Sequence, residues 1–265
     1  MSTIYSRYSD NLARGKTCIV DSGVEDTSYL AANLVDGDVT LPAKLTGFTG
    51  RWRVDMGASV SIDVVALINH NLYAEIPGVT IGGNDDGNYA NPLTVANKAL
   101  VIPAWREDGM CTNAVRDISD DVNTARYWFL NFANANDAPI AIGELWLGST
   151  ARTLDYLHNP SQSIDERRRY VSETVTGTRL IYDHGVTVHE FSGGLTLANA
   201  TDKASFVSLA RDAHSTIRPW LFWPNSAVND AMVVRFMTDP QVTQETPVIW
   251  RVAFEVREVS MGVPL

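Results

Sequence analysis

RWRVDMG, residues 51–57, followed closely by VVALI, residues 64–68, is the stretch that decides the fold. The first segment alternates: Trp52, Val54 and Met56 fall on one side, Arg51, Arg53 and Asp55 on the other. That two-residue period reads as a strand with one buried and one polar face. VVALI is an unbroken apolar run, which suits a strand covered on both faces. Outward from this pair, GVTIG (78–82), ARYWFLNFAN (125–134) and IAIGELWLG (140–148) read as further strands, the last with Ile142, Leu145 and Leu147 inward. Between them lie turn formers such as Gly82–Gly83, Asp86–Gly87 and Asn91–Pro92. Short strands with Gly, Pro and Asn punctuation and almost no helical period imply an antiparallel β-sandwich.

After Gly148 the texture changes. STARTLDYLHNPSQ and its neighbours are polar, and residues 151–164 read as a linker between a first domain, 1–150, and a second, 165–265. In the second domain a strand pair with candidate turns at Thr176–Gly177 and His184–Gly185 precedes a helix. Asn199 or Thr201 caps it, Asp202 suits its first turn, and Phe206, Leu209, Ala210 and Ala213 share one face. PWLFWPN, AMVVRFMTD and TPVIWRVAFEVREV then read as strands, the last with Val248, Trp250, Val252, Phe254 and Val256 inward. The fold class is mostly β, a sandwich followed by an α+β unit with one helix.

The 265 residues carry 21 Lys and Arg against 31 Asp and Glu, a net charge of −10. Residues 1–150 hold 10 basic and 18 acidic side chains, and residues 151–265 hold 11 and 13, so the acidity sits in the first domain. The balance argues against nucleic-acid wrapping, which needs clustered Lys and Arg. No stretch reaches the roughly 20 apolar residues of a membrane helix. The start, MSTIYSRYSDNLARGK, lacks the apolar core of an export signal. Cys18 and Cys111 read as free thiols of a chain made in a reducing cytoplasm.

No nucleophile elbow, zinc-protease helix, P-loop or dinucleotide fingerprint occurs, so no catalytic residue and no cofactor is assigned. The acid pairs Asp85–Asp86, Glu107–Asp108 and Asp120–Asp121 read as solvated loop carboxylates. His70, just past an apolar strand, reads as a hydrogen-bonded structural histidine, and His184 and His189 fall on opposite strand faces. Asp36 and Asp38 flank Gly37, so their carboxylates either converge on a hard cation or simply make an Asp-Gly turn; no metal is assigned. Trp52 and Trp146 read as core. Trp105, beside Arg106 in a polar loop, is the candidate sugar platform. Arg167, Arg168 and Arg169 form a basic cluster suited to a polyanion or to a subunit interface against acidic neighbours.

AANLVDGD (31–38), RWRVDMG (51–57) and IGELWLG (142–148), in that order, resemble the discoidin, or factor 5/8 type C, branch of the galactose-binding-like jelly rolls. The resemblance implies a jelly roll over the first half. It also implies a structural calcium held by Asp36 and Glu144 in carbohydrate-binding relatives. VVALINHNL is similar to the version of this module in tailed-phage tail proteins. LTLANATDKASFVSLARDA (195–213), RPWLFWPN, VVRFMTD and FEVREV resemble the tail-tube-like modules of distal and minor tail proteins of long-tailed phages.

Together these resemblances imply a virion structural protein of the tail tip or baseplate, made in the host cytoplasm. It would form a ring of six copies, or three nearer the tip, and join tube, hub and tip proteins. The alternative is a carbohydrate-binding module that recognises host surface glycan.

Overall fold

The computed structural model describes residues 2–38, 41–72, 78–102, 113–119, 122–133, 138–149, 152–155, 157–165, 169–173, 179–183, 188–213, 217–223 and 231–259, the side chains of 2–4 and 152–189 excepted. The fold divides into two units: residues 1–155 with 220–233, and residues 156–219 with 234–263. The protein is mostly β, and the pairings given below are antiparallel.

In the first unit the strands are β1 (Ser2–Ser6), β2 (Thr17–Ser22), β3 (Ala43–Lys44), β4 (Gly50–Ser61), β5 (Val64–His70), β6 (Val79–Asn84), β7 (Val95–Ala99), β8 (Ala114–Asp117), β9 (Thr124–Phe132), β10 (Ala141–Gly148) and β11 (Arg152–Asp155). One sheet runs β2-β4-β9-β6-β7 and the other β3-β10-β5-β8. From β2 to β10 the chain changes sheet at nearly every connection, the winding of a jelly roll.

The expected alternation of β4 is met, and its register sets Trp52 opposite Leu130 and Val54 opposite Trp128 on β9. Trp52, Val54, Trp128 and Leu130 from one sheet meet Val65, Leu67, Ile142, Leu145 and Leu147 from the other in a single core. Every residue of β5 and of β10 is buried, so both strands are covered on each face, as the apolar run VVALI foretold. Trp52 and Trp146 are both fully buried. Trp52 meets Phe132 edge-on at 5.5 Å, and the Trp146 indole N–H donates to Ser6 Oγ at 3.1 Å.

Arg152–Asp155 lies within the stretch expected as a linker, yet it pairs with β1 as β11. Polar sequence does not prevent this, because the ladder is made by backbone N–H and C=O groups. The strand β16 (Trp220–Trp223), expected as part of the second domain, pairs with the other edge of β1. All four of its side chains are buried, and Trp220 meets Tyr5 and Phe222 edge-on.

The second unit contains β12 (Leu157–Asp165), β13 (Arg169–Glu173), β14 (Arg179–Asp183), β15 (Val188–Leu197), α1 (Ala200–Asp212), β17 (Met232–Phe236, of which Val234 onward belongs here), β18 (Gln241–Thr246) and β19 (Ile249–Glu258). β12 likewise occupies residues expected as linker. β15 pairs with both β12 and β19, while β18 and the end of β17 pair along the other side of β19.

Asn199 is the helix cap, its side chain accepting from the Asp202 N–H at 2.9 Å. Phe206, Leu209 and Ala213 are buried, and Phe206 packs on Phe236 and Phe254. Val248, expected inward, is 61% exposed: it sits in the β18–β19 turn, where Thr246 Oγ1 accepts from its N–H. The turns proposed at Thr176–Gly177 and His184–Gly185 lie outside the described residues. No helix among the described residues is long and apolar enough to cross a membrane.

Trp52 tests the two-sheet core directly. Trp52→Ala is expected to cost about 3–5 kcal/mol in urea denaturation, the range for emptying a buried aromatic site; a cost below about 1 kcal/mol would place it outside the load of the core.

Candidate functional site

The outward side chains of β4 and β9 carry the densest chemistry of the first unit. Arg51 Nε donates to Asp21 Oδ2 at 2.6 Å, and its guanidinium lies 3.7 Å from the centre of the Tyr89 ring. Tyr89 in turn meets Phe129 edge-on at 5.3 Å, which explains why Phe129 is fully buried although it points away from the core. One strand position along, Arg53 Nη1 donates to the Gly87 carbonyl, and its guanidinium stands 5.5 Å from the Tyr127 ring. Arg126 lies over the same ring at 4.7 Å and grips Asp55 with two bonds, of 2.9 and 3.0 Å.

Loop 85–94 folds over this face and is held there by its own polar groups. Asn84 Oδ1 accepts from the Gly87 N–H, Asp86 accepts from Asn88 and Asn91, and Asp85 accepts from the Arg126 N–H. Asp85 and Asp86 are therefore exposed loop acids that shape a turn, as expected. The hydrogen bond from Arg126 holds the Asp55 carboxyl below the ordinary carboxylate range, and the backbone N–H of Asn88 does the same for Asp86. Three arginines face four carboxylates here. The surface offers donors, acceptors and aromatic edges in alternation and carries little net charge.

A second constellation surrounds Glu144 on β10, whose side chain is fully buried. Glu144 Oε1 accepts from Asn11 Nδ2 and Arg14 Nε, both at 2.9 Å, and Oε2 accepts from Arg14 Nη2 at 3.3 Å. Arg14 lies 3.7 Å from the Tyr8 ring centre. Asp36 and Asp38 make the Asp-Gly turn: the Asp38 N–H donates to Asp36 Oδ1 at 2.7 Å. Gly37 has φ +86°, where the backbone favours glycine, and a Cβ there would crowd Arg14 Cζ at 3.1 Å.

Burial pushes the Glu144 carboxyl above its usual range, with Arg14 and Asn11 pulling the other way, and burial also raises Asp36. Among the described residues no three His, Cys, Asp or Glu side chains gather as a metal cluster. His70 is buried and its Nδ1 accepts from the Leu72 N–H, the structural role expected of it. Burial pushes the Cys18 thiol up to about 12, so it is an inert core group.

Trp105, Arg106, Glu107, Asp108, Cys111, Asp120, Asp121, Arg167, Arg168 and His184 lie outside the described residues; Arg169 opens β13 and His189 lies in β15. Sequence reasoning missed Arg14 and Asn11, whose partner Glu144 is 130 and 133 positions away, and the stack of Arg51 on Tyr89. The polar side of RWRVDMG was the only signal for the latter.

No family model matches the chain, and no curated protein matches it. Solved structures do. The lectin domain of lectinolysin, complexed with Lewis b antigen, is 19% identical and covers 53% of this chain and 96% of its own, with a TM-score of 0.40. A Streptococcus pneumoniae fucose-binding module is 17% identical over 53% of this chain and 95% of its own, TM-score 0.40. The family 32 carbohydrate-binding module of C. perfringens NanJ, in complex with galactose, is 16% identical over 54% and 96%, TM-score 0.38.

The Glu144 pair gives a pH-dependent prediction. Arg14→Ala leaves a buried carboxylate without its cation and is expected to cost about 3–5 kcal/mol at neutral pH. A carboxyl whose folded-state pKa is raised binds its proton more tightly when native. Its contribution is therefore most favourable below the unfolded value and declines as pH rises through the folded one. Urea midpoints should show the variant recovering part of its loss on mild acidification; an equal deficit at both pH values would contradict this.

Proposed function

We propose that this chain is a non-catalytic binding protein whose jelly roll recognises a neutral glycan across the outer face of β2, β4 and β9. The observation that carries the reading is the stack of Arg51 on Tyr89, locked to Asp21 and flanked by Arg53, Arg126 and Asp55. A sugar presents hydroxyls that both donate and accept around an apolar ring, and these planar, pre-oriented groups offer the matching partners. A polyanion would meet Asp21, Asp55, Asp85 and Asp86, so the ligand class is uncharged.

Saturation-transfer NMR against neutral bacterial oligosaccharides, or a glycan array, tests this. Arg51→Ala and Tyr89→Ala are expected to reduce binding at least about tenfold, the loss of one to two charge-assisted or stacking contacts, while the core transition is retained. Binding lost in Trp105→Ala and kept in Arg51→Ala would move the site to the segment around Trp105 and Arg106. Silence across all glycans overturns the reading.

A second reading concerns the second unit: it assembles copies of the chain into a ring of six, or three, in a phage tail tip alongside tube, hub and tip proteins. It is favoured by β13 and β14, which pair with each other and with no other described strand, since a lone two-stranded ribbon is marginal in water. Among the described strands the exposed β18 pairs only with β19, which leaves its other edge open. The basic cluster Arg167–Arg169 precedes and opens the ribbon and would meet an acidic neighbour. Mass photometry across concentration is expected to show ring-sized particles that Arg168→Glu weakens; monomer throughout, including with a crosslinker, would remove this reading.

A further inference from the structure

The jelly roll contains a place that calls for a cation. Glu144 sits on a strand covered on both faces, fully removed from water, and Asp36 approaches from the turn that closes over it. A bare carboxylate at such depth is too costly to keep charged. The resemblance to discoidin modules would put calcium here, held by Asp36 and Glu144. Calcium asks for six to eight oxygen ligands with free lone pairs. The described residues do not supply them. Both oxygens of Glu144 accept from N–H groups, three bonds in all, from Asn11 and Arg14. Asp36 Oδ1 is taken by the Asp38 N–H. Two of the three donors facing the carboxylate are those of a guanidinium, whose positive charge repels a second cation.

The guanidinium is also held from the sides that do not touch Glu144. The Tyr8 ring covers it at 3.7 Å, Trp146 stands at 5.6 Å, and Gly37 passes so close that a Cβ there would lie 3.1 Å from its Cζ. The segment that bears it is tied to the strand it serves. Asn11 Oδ1 accepts from the N–H groups of Leu147 and Ala13, Leu12 N–H donates to the Leu147 carbonyl, and Ser149 N–H to that of Asp10. On the other side, Gly15 N–H donates to the Val35 carbonyl, next to the Asp36 turn. One side chain thus links the N-terminal segment, the 31–38 turn and the closing strand, the last two being the pieces that the implied calcium would join.

We infer that Arg14 is the resident cation of this jelly roll, standing in for a divalent ion, so that the module folds and holds its shape without calcium. The inference is independent of what the outer sheet face binds.

Thermal unfolding of the full chain, with calcium chloride and EDTA as probes, tests it. The wild-type Tm is expected to be the same in EDTA and in millimolar calcium; a rise with calcium or a fall with EDTA overturns the inference. R14M keeps the aliphatic stem against Tyr8 and removes the charge. It is expected to lower Tm by about 5 °C or more and to regain part of that loss in calcium, because an ion that binds only the native state raises its stability. No calcium response in R14M overturns the stand-in role. R14M/E144Q removes both charges; it is expected to unfold above R14M and to ignore calcium, and a double variant no more stable than R14M also counts against the inference. Should R14M fail to fold, R14K carries the test: it keeps the charge and is expected to remain insensitive to calcium, whereas a calcium-dependent rise in its Tm overturns the inference.

Discussion

The charge on Glu144 has to be answered inside a strand that water cannot reach, and much of the first unit is arranged around that requirement. β10 is buried along its whole length because it lies between β3 and β5 in its own sheet, with side chains covered on both faces. An apolar residue in place of Glu144 would satisfy the packing. The acid instead recruits Arg14 and Asn11, and so adds a charged tie to the backbone bonds that hold residues 10–13 against the sandwich. Removing one member of such a pair is costly because the other stays behind, unpaired, in low dielectric. The pair therefore specifies where residues 7–15 go as much as it stabilises them.

Arginine meets a different fate on the outer sheet face. Arg51, Arg53 and Arg126 are partly exposed, and each lies over or beside a tyrosine ring. Their ion pairs contribute little to stability, since solvent screens them. What they add is orientation: a guanidinium flat on an aromatic face and tied to a carboxylate has few rotamers left to lose when a ligand arrives. The same side chain thus serves as a structural cation in one place and as a pre-set recognition surface in another, and burial separates the roles.

Much of the sandwich was legible because its signals are local. The alternation of Trp52, Val54 and Met56, the run Val64–Ile68 and the cap Asn199 each predict their own surroundings. The inward assignment of Ile142, Leu145 and Leu147 follows from the same kind of pattern. Features made by distant partners were not legible. Nothing near Arg14 announces Glu144, and nothing in PWLFWPN says that its strand belongs beside β1 rather than with the helix that precedes it. Residues 151–164 misled for a different reason. Their polar composition is that of a linker, but β-pairing is a backbone property, and composition reports on side chains. Tyr89 shows the limit most simply: nothing in its loop of Asn, Asp and Gly marks it as the lid on Phe129.

The pairing of β1 with β16 has a consequence for how the chain comes to be folded. Strands β2 to β10 are contiguous and can condense into a two-sheet core as soon as roughly the first 150 residues have left the ribosome. The edge Tyr5 shares with Phe222 waits for the residues beyond these, including all of α1. Long-range closure of this kind is slow relative to local pairing. During synthesis the first unit passes through a stage in which its core is formed while Tyr5 remains uncovered by Trp220. Protease sensitivity of nascent chains of increasing length would resolve that stage as a late gain of protection at the N-terminal strand.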